Sequence, residues 1–79
     1  MQISTNKLTE FMKKYKITIA EISEILLFNT PTMQMLLKEK ILYLNNDQME
    51  RFILAFGVID AVPMIKAVEV LTNDNYFYQ

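Results

Sequence analysis

The stretch Ile17-Thr18-Ile19-Ala20-Glu21-Ile22-Ser23-Glu24-Ile25-Leu26-Leu27-Phe28-Asn29-Thr30-Pro31-Thr32-Met33-Gln34-Met35-Leu36-Leu37-Lys38-Glu39 decides how this chain folds. It reads as two short helices joined by a tight turn. Thr18 is placed to cap the first, with Glu21 three residues on to complete a capping box, and Ile17 and Ile22 are placed to close over it as a hydrophobic staple. Ile22, Ile25 and Leu26 fall on one helical face. That helix must stop near Leu27, because Asn29 and Thr30 are both good caps for a new one. Pro31 then lies in a first helical turn, where its missing N–H costs nothing. Met33, Leu36 and Leu37 supply the apolar side of the second helix. Two capped helices with so short a join must cross steeply, as in a helix-turn-helix.

On these residues the stretch resembles the helix-turn-helix of the phage repressor and Cro family, the larger Xre-like group of bacterial regulators. Thr18 matches the polar residue that opens the family's first motif helix. Ile22 matches its usual Leu, and Ser23 the small residue where the helices touch. Leu26 and Phe28 match the apolar positions around the turn. Thr32-Met33 matches the Ser/Thr-Ile/Val step of the recognition helix, and Leu36 its next core position. Leu27 departs from the family's Gly at the turn, and Glu39 from its frequent Gly after the recognition helix. Phe56-Gly57-Val58 is similar to a Leu-Gly-Val further on. Where some members carry an Arg–Glu pair between the first and recognition helices, this chain has Met12 and Leu37. Replacing a buried ion pair by packed hydrophobes is often neutral or stabilising.

The flanking sequence is consistent with four more elements. Ser4 or Thr5 can cap a first helix running to about Tyr15, with Leu8, Phe11, Met12 and Tyr15 at the spacing of a packed face. Lys40-Ile41-Leu42-Tyr43-Leu44 has no helical cap and reads as an extended connector, or a short strand, anchored by Leu42 or Leu44. Asn46 is placed to cap a fourth helix, Asp47 to Phe56, with Met49, Phe52, Ile53 and Phe56 as its core stripe. Gly57 falls where a left-handed residue would end that helix. Asp60 can cap a fifth, with Pro63 in its first turn and Met64, Ile65, Val68 and Leu71 facing the core. Asn73-Asp74-Asn75 then breaks the pattern. The expectation is an all-α, five-helix repressor-like bundle over residues 1–73, followed by an aromatic tail over 74–79.

Composition narrows function mostly by exclusion. Seventy-nine residues make one small domain. With no Cys and no His, the chain lacks thiolate ligands, the usual general base and the commonest metal ligand. A single Gly rules out a glycine-rich phosphate loop. The acidic pairs Asp47/Glu50 and Glu21/Glu24 lie in first helical turns, where the dipole favours anions, so they need no catalytic role. No enzyme, cofactor or metal is expected. The longest apolar runs are too short to span a bilayer and no signal-peptide pattern opens the chain, so a cytoplasmic location is the expectation. Hydrophobic residues make up 52%, a surplus for so short a chain that points to surface meant for a partner.

The resemblance implies double-stranded operator DNA as that partner. It carries the base-facing positions onto Thr30, Pro31, Gln34 and Met35, the backbone-facing loop onto Lys38 and Lys40, and a further contact onto Thr18. Gln can bond adenine N6 and N7 together, Thr can bond a base or a phosphate, and Pro and Met can meet a thymine methyl. Lys7, Lys13, Lys14 and Lys16 supply four of the chain's eight basic residues. They read either as a solvated face with cations at a helix C-terminus or as phosphate contacts. Val62, Ile65 and Val70 on the last helix, with Tyr76, Phe77 and Tyr78, are the expected homodimer interface. Against DNA stand the net charge of −1 and a pI near 5.3. Two functions follow: a small DNA-binding regulator of the repressor/Cro type from a phage or mobile element, reading operator half-sites as a dimer; or an interaction module of the same fold, such as an antirepressor or phage-encoded inhibitor, that binds a protein.

Overall fold

The structure is a computed structural model describing the backbone of residues 1–77 and the side chains of residues 1–70. In chain order it runs β1 (Gln2–Ser4), α1 (Thr5–Tyr15), α2 (Ile19–Leu26), α3 (Thr30–Leu36), β2 (Ile41–Tyr43) and α4 (Asn46–Phe77). The fold is mostly helical, with four helices where five are expected, and it contains a small sheet.

The local signals for the first three helices operate as read. Ser4 caps α1, its Oγ accepting from Lys7 N–H at 3.3 Å. Thr18 and Glu21 close the reciprocal capping box on α2: Glu21 N–H donates to Thr18 Oγ1 at 3.1 Å, and Thr18 N–H to Glu21 Oε1 at 3.2 Å. Asn29 Oδ1 accepts from Thr32 N–H at 2.9 Å to start α3, with Pro31 in its first turn. α1 and α2 both end in a left-handed residue, Lys16 (φ 57°) and Leu27 (φ 60°). At the second of these, Phe28 N–H reaches back to the Ser23 carbonyl at 3.0 Å and Leu27 N–H to that of Glu24 at 3.4 Å. This is the paired closure of a Schellman motif, built on a Leu where glycine would carry no Cβ penalty.

The connector is a strand. β2 pairs antiparallel with β1, matching Ile3 with Leu42. Both leucines offered as anchors serve, Leu42 and Leu44 being buried. Thr5, at the start of α1, extends the tie: its N–H donates to the Lys40 carbonyl at 3.1 Å and its hydroxyl to that of Glu39.

The expected fourth and fifth helices run on as α4, broken in direction at Gly57, whose φ of 80° and ψ of 163° lie outside any helix. That backbone region is essentially open to glycine alone. The helix is already under way at Val58, so Asp60 lies within it and does not precede it, and Pro63 is internal. The helical backbone also continues through residues 73–75, where the sequence signals a break. The cap of α4 is Asn45 and not Asn46. Asn45 Oδ1 accepts from Gln48 N–H at 2.8 Å, and Gln48 Oε1 accepts from Asn45 N–H at 2.9 Å.

The core gathers Ile3, Leu8, Met12, Ile22, Leu26, Met33, Leu42, Leu44, Phe52, Ala61 and Met64. Phe11, Phe52 and Phe56 stack edge to face, with Phe11–Phe56 and Phe52–Phe56 centroids each 4.9 Å apart. Ile17 and Leu37 pack against the core from its margin. Tyr15 is the exception among the predicted core residues of α1. It is exposed, lies 4.6 Å from the Phe11 ring and has Lys14 Nζ 5.3 Å from its own centroid.

Candidate nucleic-acid interface

α3 is held from three directions. Its N-terminus is fixed by the Asn29 cap. Its inner face is fixed by Met33, which is wholly buried, with Leu36 and Leu37 half-buried beside it. Its C-terminus tightens, with Lys38 N–H bonded to the Met35 carbonyl at 3.2 Å and Glu39 N–H to that of Leu36 at 3.1 Å. Both are i→i+3 bonds of the kind that close a helix end. α2 packs on both α3 and α4, and buried Ser23 lets α2 come close. Its hydroxyl is satisfied inside its own helix, donating to the Ile19 carbonyl at 2.6 Å.

The far end of α2 is held by α4 in a way the sequence does not announce. A helix leaves its last four carbonyls without intrahelical partners. In α2 these belong to Ser23, Glu24, Ile25 and Leu26, and every one is met. Phe28 and Leu27 N–H groups take Ser23 and Glu24. Arg51 donates from Nη2 to Glu24 at 3.1 Å and from Nε to Ile25 at 2.7 Å. Buried Gln48 donates from Nε2 to Leu26 at 2.9 Å. The Arg51 cation also lies at the negative end of the α2 dipole. Gln48 and Arg51 therefore place α2, and through it α3.

Pro31, Gln34 and Met35 turn away from Met33, and Thr30 lies at the helix start; all four are exposed, with Met35 at 69%. No charged side chain lies on this helix. Lys38 and Lys40 follow it, both exposed, on a segment pinned by Thr5 through the carbonyls of Glu39 and Lys40. Thr18 is exposed too, but its hydroxyl is engaged with Glu21 in the cap. Lys13, Lys14 and Lys16 are exposed at the opposite end of α1 from Thr5, roughly 12–16 Å along the helix from that tie. Lys7 pairs with Glu10 at 3.6 Å.

The expected dimer residues are divided by the fold. Val62 is exposed at 37% and Val70 at 59%, while Ile65 is half-buried against the core. Val70 borders a groove of about 380 Å³ whose other walls include Ser4, Lys7 and Glu10 at the start of α1. The side chains of Tyr76 and Phe77, and all of Tyr78, lie outside the described residues. Sequence reasoning passed over a more exposed set on either side of Gly57: Leu54 (79%), Val58 (62%) and Ile59 (90%). The signal was present, since the stripe Met49-Phe52-Ile53-Phe56 leaves Leu54 on the opposite face. Leu54 also lines a groove of about 300 Å³ with Ile25, Arg51 and Ala55.

Among the described residues, no group of three or more acidic side chains is placed to hold a metal ion, and no helix is long and apolar enough to cross a membrane. Compared with known proteins, the chain matches no family model, no curated protein and no solved structure.

Proposed function

We propose that this chain is a small, non-enzymatic, cytoplasmic DNA-binding transcriptional regulator of the repressor/Cro type, from a phage or mobile element, in which α2 and α3 act as a helix-turn-helix. The observation that carries the reading is the division of α3. Met33 is wholly buried while Thr30, Pro31, Gln34 and Met35 stand exposed on an uncharged face that runs into Lys38 and Lys40. A helix anchored by one buried residue, with polar and apolar side chains outward and cations beyond its end, suits a major groove flanked by phosphates. Two copies would read half-sites about one helical turn apart. Val62 and Val70, with the aromatic tail, are the surfaces offered for pairing.

Fluorescence polarisation with duplexes taken from beside the chain's own gene, titrated with salt, tests the reading. Sequence-dependent binding with a steep salt slope supports it. The absence of duplex binding at low salt overturns it. Sedimentation tests the pairing: the full chain sediments as a dimer, and removal of the residues after Asn73 weakens self-association.

A second reading, a protein-binding module such as an antirepressor or phage-encoded inhibitor, is favoured by the exposure of Met35, Leu54 and Ile59. Under it Met35 becomes a binding hot spot and the lysines become rim charges of small effect.

A further inference from the structure

The exposed chemistry of α3 is selective, and the selection is for one kind of base pair. In the major groove guanine offers two acceptors, best met by Arg or Lys, and cytosine offers an amino donor, best met by Asp or Glu. α3 carries none of these four residue types. Adenine offers an acceptor beside a donor, which the amide of Gln or Asn matches with two bonds, and thymine offers a methyl group. The outward residues fit those features. Gln34 is exposed, and its amide supplies both a donor and an acceptor. Met35 and Pro31 are exposed and apolar. The other amide near this helix, Asn29, is held in the cap by Thr32 N–H and is less free to turn toward a base. Lys38 and Lys40 come after the last turn of α3, which suits them to phosphates.

We infer that α3 recognises A·T base pairs in the major groove, Gln34 bonding adenine N7 and N6 and Met35 packing on a thymine methyl. The inference rests on the DNA-binding reading above and adds the base class. The local charge is compatible with a polyanion: α3 has no acidic residue, and in the four positions after its end Lys38 and Lys40 outweigh the exposed Glu39 between them.

The test is selection by the full chain from a duplex pool with a randomised core, then polarisation titrations on the duplex selected. Each half-site should hold consecutive A·T pairs. Gln34→Ala should lower affinity for that duplex by about 5- to 150-fold and flatten preference at one adenine position. Uracil in place of thymine removes the major-groove methyl and nothing else. It should weaken the parent chain at one position and leave Met35→Ala unaffected there. Both residues are exposed, so circular dichroism should show each variant folded. Half-sites dominated by G·C pairs overturn the inference. So does an A·T preference that survives both Gln34→Ala and uracil, since that preference would come from duplex shape. In either case the DNA-binding reading stands. Failure to bind any duplex at low salt removes the reading and the inference together.

Discussion

Gln48 on α4 donates its side-chain amide to the carbonyl of Leu26, the last residue of α2, across a buried 2.9 Å hydrogen bond. The same side chain accepts from Asn45 N–H and so caps its own helix. Gln48→Ala removes both functions and leaves a buried carbonyl unmet, at a cost of about 1–3 kcal/mol. Gln48→Glu keeps the acceptor for Asn45 but, ionised, sets a carboxylate against a carbonyl at the negative end of α2. It should destabilise more than Ala at neutral pH. The protonated carboxyl can still donate to Leu26 while the ionised one opposes that carbonyl, and the nearby Arg51 is already committed to the carbonyls of Glu24 and Ile25, so folding favours the protonated form and raises its folded pKa. The variant's stability relative to the parent is best below the unfolded value of about 4.3 and is lost as pH rises. Urea unfolding at several pH values checks both the order and the slope.

Leu27 holds φ 60° at the end of α2 while remaining 59% exposed. It bears the steric cost of a left-handed L-residue and gains little from burial. Leu27→Gly should therefore raise stability by up to about 1 kcal/mol, the relief being partly offset by the greater freedom of Gly when unfolded. Thermal unfolding showing a lower midpoint for the variant would contradict this account of the turn.

Gly57 differs from Leu27 in ψ. A Cβ built there meets nothing within 4 Å, so substitution provokes no clash and the whole penalty lies in the backbone. At φ 80°, ψ 163°, Gly57→Ala should cost about 1–3 kcal/mol. Gly57→Asn should cost as much, because the tolerance of Asn extends to the left-handed helical region and not to this one. Equal unfolding midpoints for the parent and Gly57→Asn would show that the break in α4 relaxes.

Lys38 and Lys40 carry the phosphate part of the proposed interface. Replacing both with Ala should weaken binding to every duplex alike and make the salt slope shallower by roughly one to two. Fold should be unaffected, since both side chains are exposed. A slope unchanged in the double variant would assign the phosphate contacts elsewhere, with Lys13, Lys14 and Lys16 next in line.

What was legible in the sequence was local. Thr18 with Glu21, Asn29 with Pro31, and Ser4 each announce a helix start through bonds to residues within three positions. The buried pairs Leu8 and Met12 in α1, and Ile22 and Leu26 in α2, follow helical spacing. The cap of α4 was expected one residue late, at Asn46, although Gln48 three residues after Asn45 marks the capping pair and Met49 three after Asn46 does not. β1 was not legible, because Gln2-Ile3-Ser4 is too short to alternate and gains its identity only from Ile41, Leu42 and Tyr43 across the sheet. The roles of Arg51 and Thr5 were hidden for the same reason. Each meets a carbonyl more than twenty residues away, and backbone acceptors leave no trace in side-chain pattern. At the candidate interface, the outward residues of α3 were expected from the family resemblance rather than from spacing, and the ties of Thr5 to the Lys38–Lys40 segment needed the fold.

The β1–β2 pairing has a consequence for the order of assembly. Ser4 meets Ile41 only after the intervening chain, which contains α1, α2 and α3, has been brought into a closed loop. The entropy of closing that loop falls due before its few strand bonds form, whereas the helices can gather through nearby contacts. Strand pairing therefore belongs late on the folding route. Truncating Ile3 or Leu42 should quicken unfolding while leaving the refolding rate nearly unchanged. On that route the sheet would latch helices already gathered, and its loss would shorten the life of the folded state more than it slowed its formation.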